Sequence, residues 1–311
     1  MRSYSVLGNI ALVNFPREFK GSKINFAKKI LKENKSVKTV LEKVGKFSGR
    51  LRKISTKWLA GEKNKEVLYK ENNCVFRFNI DSTYFSPRLS NERKEIAGLV
   101  KKDENVLVMF AGVSPFSIVI AKNSKIGRSS AYPKLRNAKV YSNEINREAN
   151  KYAKLNIELN KLKERVELLP GDIKKVTEKI LKGWRENHAV SVGGKEKMPP
   201  SRALEGISVS RKEREENKGL PRFDVIVMPR PQLKDSFLEQ AFKLSKRGTR
   251  IYYYDFCKID ALEGTKYFDL IIKKIKDEAK KAGKKIRIVN KKLAGDIAPY
   301  KYRVRVDFII L

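Results

Sequence analysis

Histidine and cysteine are nearly absent from this chain of 311 residues, which holds one His and two Cys, and its 35 acidic residues are outnumbered by 70 Lys and Arg. The lone His188 stands in WRENHAV among charged and polar neighbours, which argues against His-dependent nucleophilic or metal chemistry and reads as a surface or loop residue. Cys74 and Cys257 are far apart and lack CxxC spacing, so neither a disulfide framework nor a structural zinc site can be built from them. No metal site is expected. No apolar run reaches the roughly 18 residues that a membrane helix needs. The N-terminal MRSYSVLGNIALVNF lacks the basic flank and cleavage site of a secretory signal. The sequence therefore predicts a cytoplasmic protein without membrane insertion. Any catalysis must draw on carboxylates, arginines, backbone groups or a cofactor.

The chain carries a formal charge of +35 and a hydrophobic content of 41%. The second figure supports an ordinary core, so the excess base must lie on the surface and predicts a polyanionic partner. At roughly 100–200 residues per domain, the length suggests two domains, or one with an accessory. Residues 1–80 read as a small α+β unit: a hairpin broken at Gly8-Asn9, a basic amphipathic helix around 22–34, a stretch from Leu51 to Ala60 that leads to Gly61, and a second β pair at 66–69 and 74–80. From Ser86 to the C-terminus, strands alternate with helices. NERKEIAGLVKK reads as a helix, and Asn105–Phe110 as a buried parallel strand. Further strands are expected at 139–143, 166–169, 223–228 and 250–256, with helices at 147–160, after Asp172 and at 235–244. Residues 285–289 and 302–311 read as a closing antiparallel hairpin. The polar segments 123–137 and 183–219 read as mobile insertions, either solvated linkers or basic arms that touch RNA.

Open α/β sheets bind ligands at the carboxyl ends of their strands. Three features fall there: the small-residue turn Phe110-Ala111-Gly112-Val113, Glu144, placed to accept the two hydroxyls of a ribose, and Asp172, placed to accept an adenine amino group. In that order on successive strands they predict a nucleoside cofactor. There is no Walker pattern and no three-glycine phosphate fingerprint, so S-adenosylmethionine is preferred over a pyrophosphate-bearing ligand.

The string Tyr84-Phe85-Ser86-Pro87-Arg88-Leu89-Ser90-Asn91-Glu92-Arg93 resembles the archaeal and eukaryotic tRNA (guanine-37 N1) methyltransferases. So do Met109–Val113, Asn156–Asn160, Ala298-Pro299 and Asp307-Phe308, and, upstream, Tyr4–Ala11 and Leu59–Glu62. The resemblance implies an α/β, Rossmann-like class I methyltransferase domain over 81–311, behind an N-terminal α+β tRNA-binding domain over 1–80, with S-adenosylmethionine as donor. It places the family's general base on Glu92 and its essential arginine on Arg52. Arg93, Glu144, Ile145, Asp172 and Ile173 fall on donor-contacting positions. A proton sits on guanine N1, so a carboxylate must remove it while a guanidinium neutralises charge growing on O6. The target base is expected to flip into a pocket walled by Tyr84, Arg88 and Pro229.

The sequence also departs from the family. Val108 replaces an acid before the glycine turn, Ser114 replaces a glycine, and Asn79 replaces a strand acid. Pro229-Arg230-Pro231 replaces Asn-Leu-Pro, so no side-chain amide can hold the base there. The resulting Met-Pro-x-Pro string resembles an archaeal branch of the wyosine pathway, which implies a second activity at C7 of the tricyclic base imG2. The family's long forms carry a further N-terminal domain, whereas the match here begins at Tyr4. Recognition is therefore expected to lean on the anticodon arm of tRNA and the basic insertions, with the protein acting as a monomer without a protein partner. Two rival readings are an aminocarboxypropyl transferase of the same pathway and a non-catalytic RNA-binding protein whose cofactor turn has decayed.

Overall fold

The computed structural model describes residues 4–16, 18–124, 138–192, 220–229, 235–258, 266–298 and 300–311. The N-terminal part is a four-stranded sheet, β1 (Tyr4–Leu7), β2 (Ile10–Val13), β3 (Thr39–Ser48) and β4 (Lys53–Gly61), paired in that order. Helix α1 (Lys23–Glu33) crosses from β2 to its parallel neighbour β3. Ser22 caps it by accepting from the Asn25 amide at 3.3 Å. Ala27 and Ile30 of α1 are buried with Ala11, Val13 and Val40, while its lysines stay exposed.

A two-stranded ribbon, β5 (Glu66–Glu71) and β6 (Cys74–Asn79), follows. Side chains cover both of its edges. Asn9 accepts from the Leu68 amide at 2.7 Å and donates to the Glu66 carbonyl at 3.2 Å, docking the first hairpin on β5. The close approach fixes Gly8, at φ +58, because a Cβ there would stand 1.9 Å from the Leu68 carbonyl oxygen. On the other edge, Asn156 bonds the Arg77 amide (2.7 Å) and carbonyl (3.1 Å), and Asn160 does the same for Val75 (3.0 and 2.7 Å). Four helical residues rise about 6 Å and two strand residues about 6.8 Å. Asparagines spaced by four can therefore pair alternate residues of a strand edge.

The large sheet has seven strands in the order β12-β13-β11-β10-β7-β8-β9. Its parallel strands are β7 (Asn105–Val108), β8 (Lys139–Glu144), β9 (Val166–Pro170), β10 (Phe223–Met228) and β11 (Ser245–Lys258). The hairpin β12 (Ile286–Ala298) and β13 (Lys301–Ile310) closes it antiparallel to β11. Alternate residues of the parallel strands feed two cores. Val106, Val108, Val225, Val227 and Tyr254 pack with α2 (Ser90–Leu99), α3 (Pro115–Asn123) and α4 (Arg147–Leu159). Leu107, Met109, Ile226, Met228 and Tyr253 face α5 (Ile173–Val192), α6 (Leu238–Leu244) and α7 (Lys266–Lys281). Helices on both faces and apolar parallel strands give the α/β architecture the alternation predicts.

Ribbon residues Val67, Phe76 and Phe78 belong to the first of these cores, so β5–β6 packs with the large sheet although it lies before residue 80. Helix α5 continues to Val192, into the segment predicted as the second insertion, and its backbone carries His188. Residues 125–137 and 193–219 of the expected insertions lie outside the described residues, as do Arg230, Pro231 and Pro299. Among the described residues no helix is long and apolar enough to cross a membrane.

Candidate active site

The turn after β7 is built from three left-handed residues, Phe110 (φ 57), Gly112 (φ 60) and Ser114 (φ 66). Such clustered strain in non-glycine residues persists only where surrounding structure fixes it. Here the Ala111 amide donates to the Asn143 carbonyl at 2.8 Å, the Gly112 amide donates to Glu144 Oε2 at 2.8 Å, and Ser114 Oγ pairs with Ser142 Oγ at 2.8 Å. The other oxygen of Glu144, Oε1, accepts from the Asn146 amide at 2.8 Å. The buried carboxylate at the end of β8 thus ties the turn to the start of α4. Asn146 caps that helix through the Glu148 amide and reaches the Ser82 carbonyl at 2.8 Å, joining it to the segment that leads into Tyr84.

A cleft opens over this turn, lined by Leu51 and Arg52, Tyr84, Phe110 and Gly112, Glu144, Asn146 and Ala149, and Pro229. Leu51 and Arg52 come from the β3–β4 turn, so the N-terminal sheet supplies one wall and the large sheet the floor. The Arg52 guanidinium lies 4.0 Å from the Tyr84 ring centroid, a stacked cation on an aromatic face. The residues suit a nucleoside. Glu144 is a buried acceptor at a strand end, and Gly112 leaves a gap where a Cβ would come within 3.3 Å of the Tyr84 carbonyl oxygen.

The structure brings Arg52, Tyr84, Phe110, Gly112, Glu144 and Pro229 to one cleft, but not every predicted residue lines it. Ala111 and Val113 are buried within the turn, Ile145 is half-buried, and Ile173 is packed in the second core. Asp172 is paired with Arg50 of the β3–β4 turn and accepts from the Lys174 amide at 2.8 Å. Burial raises its pKa, but the Arg50 guanidinium and that amide outweigh burial and hold it below the usual carboxylate range. Arg88 is exposed and donates to the Asp296 carbonyl at 3.3 Å. Arg93, expected at the donor, is 1% exposed and does not line the cleft. It forms a two-pronged pair with Glu71 of the ribbon, donates to the Ser86 carbonyl at 3.0 Å, and stacks 5.1 Å from Phe85. Its donors are spent on joining β5 to α2.

Glu92 is 5% exposed and also does not line the cleft. Its Oε2 accepts from the Tyr254 hydroxyl (2.8 Å) and from Arg305 Nη1 (2.7 Å), and Lys292 Nζ stands 3.0 Å from Oε1. Burial and the Glu92 charge push the Tyr254 phenol well above its ordinary value, so it is a neutral donor. Arg305 also binds Glu95 at 2.7 Å and Asp307 at 2.7 and 3.0 Å. These partners stand on β11, β12 and β13, so no local sequence pattern marks them. Asn146 is different, since an asparagine directly before a helical period is a cap signal.

Residues 67–184 match the TRM5/TYW2 methyltransferase domain, and residues 1–64 match the TYW2 N-terminal domain. The chain is 33% identical over 322 residues to the tRNA (guanine(37)-N(1))/4-demethylwyosine(37)-methyltransferase Taw22 of Nanoarchaeum equitans, covering 99% of this chain and 100% of that one. It is 27% identical over 303 residues to the tRNA 4-demethylwyosine(37)-methyltransferase Taw21 of Saccharolobus solfataricus, covering 97% and 91%. Among solved structures it is similar to Trm5b from Pyrococcus abyssi, with a TM-score of 0.71, 29% identity, and coverage of 99% of this chain and 75% of that one. With a relative a third identical along its whole length and both domain signatures in order, this chain belongs to the TRM5/TYW2 methyltransferase family.

Proposed function

We propose that the chain is an S-adenosylmethionine-dependent tRNA methyltransferase that modifies the purine at position 37, placing a methyl group on N1 of guanosine. The observation that carries this reading is the cleft itself, where the stacked Arg52–Tyr84 pair from the substrate side meets the Gly112–Glu144 floor. Glu144 and the Gly112 turn would hold the donor's nucleoside. When bound, the donor supplies an electrophilic methyl group. Tyr84 offers a ring against which a flipped purine can stack, and Arg52 places positive charge where O6 becomes anionic. Glu92 is the proposed base for the N1 proton. Its oxygens already accept from Tyr254, Arg305 and Lys292. To reach the base, Glu92 must exchange one donor, and Lys292, the most exposed of them, is the one that yields. Recognition rests on the anticodon arm, and the enzyme acts as a monomer with an N-terminal tRNA-binding unit.

The same cleft is proposed to accept a tricyclic base for methylation at C7. Pro229 lines it where a side-chain amide would otherwise occupy space. The names of the Nanoarchaeum and Saccharolobus relatives specify 4-demethylwyosine, and that base, in place of the imG2 expected from the sequence, is the proposed tricyclic substrate. The match of residues 1–64 to the TYW2 N-terminal domain favours one competing reading, transfer of an aminocarboxypropyl group from the same donor. Incubating labelled donor with tRNA that bears guanosine or 4-demethylwyosine at position 37, followed by nucleoside mass spectrometry, separates these readings. A methyl on N1 is expected, as is a methyl on the tricyclic base. Glu92→Gln is expected to slow N1 transfer by about 10²–10⁴-fold while donor binding persists. An aminocarboxypropyl adduct, or no product, would overturn the proposal.

A further inference from the structure

Strand β13 carries two buried arginines on one face, and their surroundings are opposite. Arg305 meets Glu92, Glu95 and Asp307. Arg303, two residues earlier, is 4% exposed, yet its Nε and Nη1 have no hydrogen-bond partner among the described residues. It lies opposite Phe256 of β11, with its guanidinium 5.6 Å from that ring. The largest charge effects on it come from Tyr84, Arg52, Tyr254 and Arg88. Burial lowers its pKa from the ordinary arginine value, and Arg52 and Arg88 lower it further, while Tyr84 and Tyr254 oppose them. A guanidinium with five donors is rarely buried without an acceptor, and among the described residues no carboxylate is bonded to Nε or Nη1. Arg88 reaches the same end of the β12–β13 hairpin through the Asp296 carbonyl, and Arg52 lines the cleft beside Tyr84. Arg303 does not itself line the cleft, but it feels the charges of Arg88 and of the stacked Arg52–Tyr84 pair that does.

We propose that Arg303, flanked by Arg52 and Arg88, binds a phosphodiester oxygen of the nucleotide drawn into the cleft. The inference rests on the tRNA reading above and adds to it the residue that grips the flipped nucleotide's backbone. A phosphodiester is the anion that RNA brings to any site, and its planar oxygen pair suits a guanidinium edge. The donor also carries a carboxylate, but the donor floor is formed by Gly112 and Glu144, whereas Arg303 neighbours the substrate-side residues Tyr84, Arg52 and Arg88.

The test replaces Arg303 by Met, which keeps the volume and removes the charge, and by Lys, which keeps the charge. Affinity for tRNA, affinity for S-adenosylmethionine and thermal unfolding of the free protein are measured for each. Arg303→Met is expected to weaken tRNA binding by about 10–100-fold and to lower the slope of log affinity against log salt by about one unit. Donor affinity should stay within about twofold. The unfolding temperature should hold or rise, because an unpaired buried charge is lost. Arg303→Lys should recover part of the affinity. Unchanged tRNA affinity and slope would overturn the proposal, as would a loss confined to the donor, which would assign the anion to its carboxylate. A lowered unfolding temperature with RNA affinity intact would make Arg303 a structural residue. Wild-type protein that fails to methylate tRNA sinks the functional reading instead, while an active wild type with an unaffected Met variant sinks this one alone.

Discussion

Arg305 is the side chain that joins three carboxylates into one buried ion cluster. It is fully buried and bonds Glu92, Glu95 and Asp307. Removing one partner of a buried ion cluster leaves the others uncompensated, and Arg305→Met is expected to cost about 3–5 kcal/mol in urea unfolding. Glu95 allows a gentler probe. Burial raises its pKa, but hydrogen bonds from Lys292 and Arg305 outweigh burial and hold it below the ordinary value of 4.5. A carboxyl depressed on folding stabilises the protein above its unfolded pKa and loses that contribution as pH falls through the folded value. Wild type should therefore exceed Glu95→Gln in stability at neutral pH, and the gap should close below about pH 4.5, as followed by thermal melts across pH. Pro229 lines the cleft and is the residue proposed to tune substrate choice. Pro229→Asn restores an amide to the cleft and is expected to favour guanosine over 4-demethylwyosine by about five- to tenfold in kcat/KM, the worth of one hydrogen bond. The other three departures from the family pattern have plain structural counterparts. Asn79 accepts from the Asp81 and Ser82 amides as an aspartate would, Val108 is core, and Ser114 takes the left-handed conformation that a glycine would supply.

The elements themselves show which parts of a fold are written locally. β7 and β10 are apolar runs, α4 has its buried Ala149, Ala153 and Ile157 at helical spacing, and all three are readable from the local pattern alone. Alternation-based reading assigns no element to β3, where Gly45 and interspersed lysines break the pattern and the strand is held by β2 and β4 on either side. It also passes over α7, although Ile271, Ile275 and Ala279 recur every four residues. Neither period nor turn chemistry announces how α4 grips the ribbon. The Asn156–Asn160 string is part of the family resemblance, and the structure gives it a physical task, since each asparagine closes an amide and a carbonyl of β6. Asn156→Leu would strand the Arg77 amide and carbonyl and remove a 3.2 Å bond to the Val113 carbonyl. A loss of about 2–4 kcal/mol is expected in urea unfolding, since each buried group left unpaired costs about 1–3 kcal/mol. An unchanged midpoint would mean that the ribbon edge is satisfied without α4.

For the whole molecule, the arrangement of the cleft explains why its site could be named only in part from the sequence. Glu144, Gly112 and Phe110 follow from strand ends, which any open parallel sheet marks out. Arg52 reaches them only because β3 and β4 fold over the large sheet, and the Arg50–Asp172 pair spans the same gap. That pair is exposed on the arginine side, so it is worth at most about 1 kcal/mol. The surface charge acts over a longer range. A net +35 draws the polyanion in by releasing its condensed counterions. The donor, a small molecule proposed to be held by Glu144 and the Gly112 turn, releases none. Raising salt from about 50 to 200 mM should therefore weaken tRNA binding by about 10³-fold or more if at least six phosphates are contacted. Donor affinity in the same buffers should move by less than about twofold, because its contacts lie within a shielded cleft. Filter binding for RNA and calorimetry for the donor, in matched salts, provide the two curves. If both fall together, salt is loosening the fold across the cleft rather than screening phosphate contacts, and Arg50→Ala should then reproduce the donor loss at low salt.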